Sequence, residues 1–189
     1  GTDGKKFSIF SNFDPSTLDD GSKQVKEDDV VSWKLSAAEP LGDGVTLQCQ
    51  QLQFGWGPTK PLSQKFDLDI GSRKIAILGA NGSGKSTFLK TLAGEIEPVS
   101  GEVRRNPRLR LAYFSQHVTD GLNVERTPVQ IMKDRFPEAS EQDIRGHLGK
   151  FGVRSITTTK LNLLSGGEKT RVSLAAVTYI PPHLLLLDE

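Results

Sequence analysis

Between Gly79 and Ser86 the chain reads GANGSGKS. Glycines alternate with small residues, then a lysine and a serine follow. That composition suits a polyphosphate tail, which presents many acceptor oxygens and several negative charges. A chain that wraps such a tail must bare its backbone N–H groups and approach closely. Gly79, Gly82 and Gly84 permit both, because they carry no Cβ. Ala80, Asn81 and Ser83 complete the turn. Lys85 supplies a point charge for the terminal phosphates. The Ser86 hydroxyl is placed for Mg²⁺, and Thr87 adds a further phosphate donor. The whole stretch fits G-x-x-x-x-G-K-[ST] at every fixed position. A chance glycine-rich turn is the competing reading, and the flanking sequence argues against it.

Those flanks are the elements that must position the loop. KIAILG, ahead of it, is a short continuous apolar run, as in a strand buried on both faces. KSTFLKTLAG, behind it, places Phe88, Leu89 and Leu92 on one helix side, with Gly94 as the stop. The helix start aims its dipole at the same anion. A second buried strand is predicted at Leu184 to Leu187, in HLLLLDE. Asp188 emerges at its carboxyl end, where ligands gather in open α/β sheets, and suits Mg²⁺. Glu189 is then placed to act as general base on an attacking water. Alone, four leucines and two acids would be an ordinary strand end; beside a phosphate loop they complete a site.

LNLLSGGEKTRVSLA raises a third question. Ser165 and Glu168 have capping-box spacing, so an ordinary helix start explains them. Gly166 and Gly167 bare the first-turn N–H groups, which also makes a second anion site. The residues alone leave both readings open.

Other elements follow the same logic. Val45, Leu47 and Cys49 alternate, then Leu52, Phe54 and Trp56 alternate in the opposite phase, which predicts a bulge or a turn near Gln50. QKFDLDI and LRLAYFSQ read as strands. Thr127 with Pro128 opens one helix. Ser140 with Asp143 opens another, carrying Ile144, Leu148 and Phe151 to a stop at Gly152. Pro181 and Pro182 end the helix after Gly167. Strands alternating with helices predict an α/β fold: a core with a mainly parallel sheet, an antiparallel β subdomain and a small helical subdomain. Residues 1–42 read as a charged, turn-rich extension or linker, and 43–189 as the folded domain. Within the extension, Phe7, Phe10 and Phe13 stand at helical spacing.

Bulk composition excludes several classes. The 189 residues carry 24 basic and 23 acidic groups, for a net charge of +1, so no whole-surface attraction to nucleic acid or acidic membranes is implied. A local basic stretch, RRNPRLR, brings Arg104, Arg105, Arg108 and Arg110 together. It reads either as an rRNA contact or as a solvated hairpin. Cys49 is the single cysteine, which fits a cytoplasmic setting and a small buried hydrophobe. No run of about 18 apolar residues exists to span a bilayer.

GANGSGKST, LSGGE and LLLLDE, in this order, resemble an ABC-type ATPase cassette. The stretches SGEVRRNPRLRLAYFSQHVTDGL and FPEASEQDIRGHLGKFG are most similar to the ABC-F group, the soluble twin-cassette ATPases associated with ribosomes, and to the second cassette of eukaryotic members. The resemblance covers about residues 43 to 189. It implies ATP and Mg²⁺ as ligands, with Gln116 touching the metal and the attacking water, and Trp56 stacking on adenine. It also implies a head-to-tail partner cassette, whose nucleotide Ser165, Gly166, Gly167 and Glu168 would read. Glu168 stands where many such cassettes have Gln, and Trp56 where Tyr is common. The family continues beyond the acid pair, so the chain is expected to be an incomplete cassette, weakly active alone. The function implied is an ATP-driven switch on the ribosome. Alternatives are a transporter's nucleotide-binding subunit, or a non-catalytic ATP-gated module.

Overall fold

The computed structural model describes residues 7–11, 35–42, 45–57, 60–115 and 121–188. They form two compact units. One holds Glu39–Leu111 with Asp188 and the strand near the start of the chain; the other holds Ala112–Leu187.

In the first unit, β2 (Leu47–Gln53) lies between β3 (Phe66–Ile70) and β5 (Ser100–Arg105), antiparallel to both. Of the bulge or turn expected there, the bulge is present: the register slips between Cys49 and Leu52, and Gln51 adopts φ 47°. Opposite it, Gly101 is required, since a Cβ there would lie 2.1 Å from the Gln51 carbonyl oxygen. Leu47, Cys49 and Leu52 are buried on the inner face. Burial pushes the Cys49 thiol pKa up to about 12, as expected of a packed hydrophobe.

The strand β4 (Ile75–Gly79) leads into α1 (Lys85–Ala93). Gly94 ends this helix at φ 86°, its N–H bonding to the carbonyls of Lys90 and Thr91. Phe88 of α1 packs against Phe54 at 5.2 Å and Phe66 at 5.7 Å between ring centroids, which docks the helix on the antiparallel sheet. Arg105 reaches from β5 to the last turn of α1, donating from Nη2 to the Leu92 carbonyl at 3.0 Å.

The strand β1 (Phe7–Ser11) pairs antiparallel with β4, from Phe7 opposite Gly79 to Ser11 opposite Ile75. The helical spacing of Phe7 and Phe10 is therefore overridden. An edge strand leaves its N–H and C=O groups unpaired, and an extended neighbour satisfies them where a helix would not. Phe13 lies outside the described residues.

The second unit contains β6 (Leu111–Ser115) beside β7 (Leu184–Asp188), and three helices: α2 (Pro128–Arg135), α3 (Glu141–Lys150) and α4 (Gly166–Thr178). Thr127 and Gln130 form a full capping box on α2. At α3 only half of the expected box forms: Ser140 accepts from the Asp143 N–H, but its hydroxyl donates to the Asp143 carboxylate. Ile144, Leu148 and Phe151 pack with Met132, Leu161 and Val172 in one core. His147 lies against Phe151 and Tyr179, and its Nε2 shares a 2.9 Å hydrogen bond with the Ala175 carbonyl of α4.

Two strands are less buried than their sequences predict. Leu78 of β4 and Leu187 of β7 are exposed. An apolar run states that a strand suits burial; the covering layer must come from elsewhere.

Candidate phosphate-binding site

Residues 80–84 turn sharply between β4 and α1. The Ser83 N–H bonds to the Ala80 carbonyl at 3.1 Å, while Gly82 and Gly84 take φ 74° and 98°. These angles belong to the left-handed region, so glycine is required at both. Gly79, Ala80, Asn81 and Gly82 are exposed. The first rung of α1 runs from the Phe88 N–H to the Gly84 carbonyl at 2.8 Å. The amides of Lys85, Ser86 and Thr87 therefore precede the helix ladder and face its positive end. Thr87 itself is buried. Ser83 is 3% exposed, and its Oγ has no hydrogen-bond partner. An orphaned polar atom inside the loop fits a site that a polar ligand completes.

Lys85 folds back over the loop. Its Nζ donates to the carbonyls of Gly79 at 2.8 Å and Ala80 at 3.2 Å. The ammonium is thereby held above the open amides, where a phosphate oxygen can replace the carbonyls. The Ser86 hydroxyl donates to Asp188 Oδ1 at 2.8 Å. Residues about a hundred positions apart thus meet at the helix start. A hydroxyl and a carboxylate oxygen side by side are hard ligands of the kind Mg²⁺ takes. Among the described residues no group of three or more His, Cys, Asp or Glu gathers to hold a metal. Ser86 and Asp188 fit a Mg²⁺ whose remaining ligands are phosphate and water.

Trp56 sits on a tight hairpin, its N–H bonded to the Lys60 carbonyl at 3.1 Å. The ring is 63% exposed, so core packing does not explain it. Sequence reasoning passed over the residues at the base of this hairpin. Gly55 pairs with Pro61, and a Cβ on Gly55 would meet the Lys60 carbonyl oxygen at 2.2 Å. The cluster of Gly and Pro in FGWGPTKP was the available signal.

Ser165, Gly166 and Gly167 open α4 as expected, and the capping box is complete. Ser165 donates N–H and Oγ–H to Glu168 Oε2, both at 2.8 Å, and its Oγ accepts from the Glu168 N–H. The bonds from the Ser165 backbone and hydroxyl hold the Glu168 carboxyl below the usual range, so it is ionised at neutral pH. The ordinary helix start is therefore realised, and the exposed glycine amides remain beside it. Gln116 and Glu189 lie outside the described residues.

The arginine stretch is largely committed within the fold. Arg104 pairs with Glu102 at 2.5 Å, Arg105 caps α1, and Arg108 donates to the Leu41 carbonyl at 3.1 Å. Among the described residues β5 pairs with β2 and β6 with β7, so the expected hairpin does not form, and these three side chains are engaged by Glu102, the end of α1 and the Leu41 carbonyl instead.

Known proteins resemble this chain. The family model described as ABC transporter matches residues 64–189. Among curated proteins, Protein GCN20 of Saccharomyces cerevisiae is 37% identical over 166 residues, covering 87% of this chain and 22% of that protein. ABC transporter F family member 3 of Arabidopsis thaliana is 45% identical over 139 residues, covering 72% and 19%. Probable ATP-binding protein YheS of Escherichia coli is 42% identical over 164 residues, covering 86% and 25%. The chain thus spans about a fifth to a quarter of these relatives. Among solved structures, a putative ABC transporter ATP-binding protein from Pyrococcus furiosus aligns with a TM-score of 0.63 at 22% identity, over 75% of this chain and 74% of that one. That likeness shows the fold, with its helices and strands in the α/β class expected. No helix among the described residues is long and apolar enough to cross a membrane. The chain belongs to the ABC transporter family, as a cassette of the ABC-F type.

Proposed function

We propose that this chain binds ATP with Mg²⁺ and, paired head to tail with a second cassette, hydrolyses it. Residues 43–189 form the cassette, and 1–42 serve as the linker toward its partner. Amides of residues 79–87 and the Lys85 ammonium grip the β- and γ-phosphates. Ser86, Asp188 and Gln116 hold Mg²⁺, which neutralises phosphate charge when bound. Trp56 stacks on adenine, and Glu189 takes a proton from the attacking water. Ser165, Gly166, Gly167 and Glu168 form the second anion surface, offered to the partner's nucleotide. ATP then bridges two cassettes, and its cleavage releases them.

What supports the reading is the meeting of Ser86 and Asp188 at 2.8 Å beside a loop of open amides. The pair places a hydroxyl and a carboxylate side by side at the start of α1, where a phosphate-bound Mg²⁺ would need hard oxygens. The resemblance to the ABC-F group extends the proposal to a cytoplasmic, ribosome-linked switch. The arginine stretch adds little to that step, since Arg104, Arg105 and Arg108 each already have a protein partner.

The test uses the whole protein to which this cassette contributes. Glu189→Gln should slow ATP turnover by at least about a hundredfold, within the range general-base loss produces. It should also leave the ATP-bound form co-sedimenting with ribosomes. Unchanged turnover removes Glu189 from its role, and sedimentation indifferent to ATP removes the ribosomal step.

A further inference from the structure

The hairpin that carries Trp56 is fastened to the phosphate loop at one point. A Cβ built on Gly84 would lie 3.1 Å from Phe54 Cε2 and 3.2 Å from Leu62 Cδ1. Phe54 and Leu62 are the two limbs of the hairpin base, joined by the Leu62 N–H to the Phe54 carbonyl at 2.9 Å. The Ser63 hydroxyl also accepts from the Phe54 N–H at 3.1 Å. The Phe54 ring is immobilised among Phe66 and Phe88. Leu62 has no ring stack of this kind among the described residues and is 36% exposed. Its side chain is therefore the adjustable half of the clamp. Above the clamp, the close approach of Gly55 to Lys60 leaves the limbs no slack. The backbone that carries Trp56 is then held relative to Gly84, the residue that opens α1.

We propose that Leu62 is a positioning residue of the nucleotide site, holding the Trp56 hairpin on Gly84 so that base and phosphates are bound in register. The inference rests on the reading that Trp56 stacks on the base. Leu62 touches neither ligand part. Its contribution is confined to ligands that have both a base and a phosphate tail, because only these span the two halves of the clamp. Inorganic tripolyphosphate engages the loop alone and is indifferent to where the hairpin stands.

The experiment titrates the purified chain, in a Trp33→Phe background, with ATP and with tripolyphosphate, both with Mg²⁺. Binding heat and Trp56 fluorescence are followed together. The unsubstituted Leu62 protein should prefer ATP and show quenching with ATP only. Leu62→Ala should weaken ATP about fivefold or more, a good part of what one stacked base contributes. Tripolyphosphate affinity should then stay within about twofold, since it makes no stacking contact. Leu62→Met, close in volume, should restore the preference. Equal weakening of both ligands would show a general structural role and overturn the proposal, as would an unchanged ATP preference in Leu62→Ala. Should the Leu62 protein itself show no preference for ATP, the stacking reading fails, and the proposal with it.

Discussion

Gly84→Ala is the substitution whose consequences the geometry specifies most fully. Gly84 holds φ 98°. An alanine there enters the left-handed region at a cost of about 1–2 kcal/mol. Its Cβ would also press on Phe54 and Leu62 at 3.1 and 3.2 Å. Phe54 is fully buried and stacked, so it cannot recede, whereas Leu62 can turn aside. Together the two effects come to about 2–3 kcal/mol, since a crowded contact adds to backbone strain. At about 2–4 °C per kcal/mol for a domain of this size, the melting temperature should fall by about 5–10 °C. The displaced helix start should also misplace the amides of residues 85–87 and weaken ATP binding at least about tenfold. Gly94→Ala is the matched control. Its φ is 86°, but its Cβ meets only the end of the Arg105 side chain, remote from the loop. It should lower the melting temperature while sparing ATP affinity. If Gly84→Ala melts and binds as the parent does, the loop is not held as described.

Further outcomes follow from single contacts. Arg105→Ala removes the donors to the Leu92 carbonyl and should cost about 1 kcal/mol, seen as a small fall in melting temperature with nucleotide affinity retained. His147 has its pKa lowered, first by burial, so the folded protein favours the neutral ring. Stability from this residue is full above the unfolded value near 6.5 and declines as pH falls from there toward the folded pKa. Denaturant titrations from pH 7.5 to 5 should show that decline, and His147→Phe should flatten it. Glu168→Gln replaces the ionised acceptor that occupies Ser165; ATP-driven pairing of cassettes should tighten, because one negative charge leaves the surface proposed to face a phosphate. Looser pairing in that variant would count against the assignment.

The parts read correctly from the sequence are those fixed by neighbouring residues. The strand, loop and helix around Gly79 to Lys85 declare themselves, because a continuous apolar run, glycines and a basic residue each constrain the local backbone. The phase change between Cys49 and Leu52 was visible too, though it fitted a bulge or a turn, and the register of β2 against β3 decides for the bulge. Thr127 announced its helix through the proline that follows it, and Ser165 through its spacing from Glu168. What escaped depends on contacts between distant segments. Phe7–Ser11 is extended because β4 has an edge to fill, and nothing in FSIFS states that. The exposure of Leu78 and Leu187 depends on what lies over them, which a leucine run does not report. Leu62 matters through Gly84, and its own type and spacing are those of any surface-boundary leucine. Ser165 shows that a helix cap and an anion surface use the same groups, so a sequence cannot choose between them.

The Mg²⁺ dependence of ATP binding, measured by calorimetry on the parent, Ser86→Ala, Asp188→Asn and the double variant, bears most directly on the phosphate site. Mg²⁺ should raise the parent's ATP affinity, each single variant should lose most of that gain, and the double variant should lose no more than either. An Asp188→Asn protein in which Mg²⁺ still strengthens ATP binding to the full extent would contradict the pairing of Ser86 and Asp188 around one nucleotide.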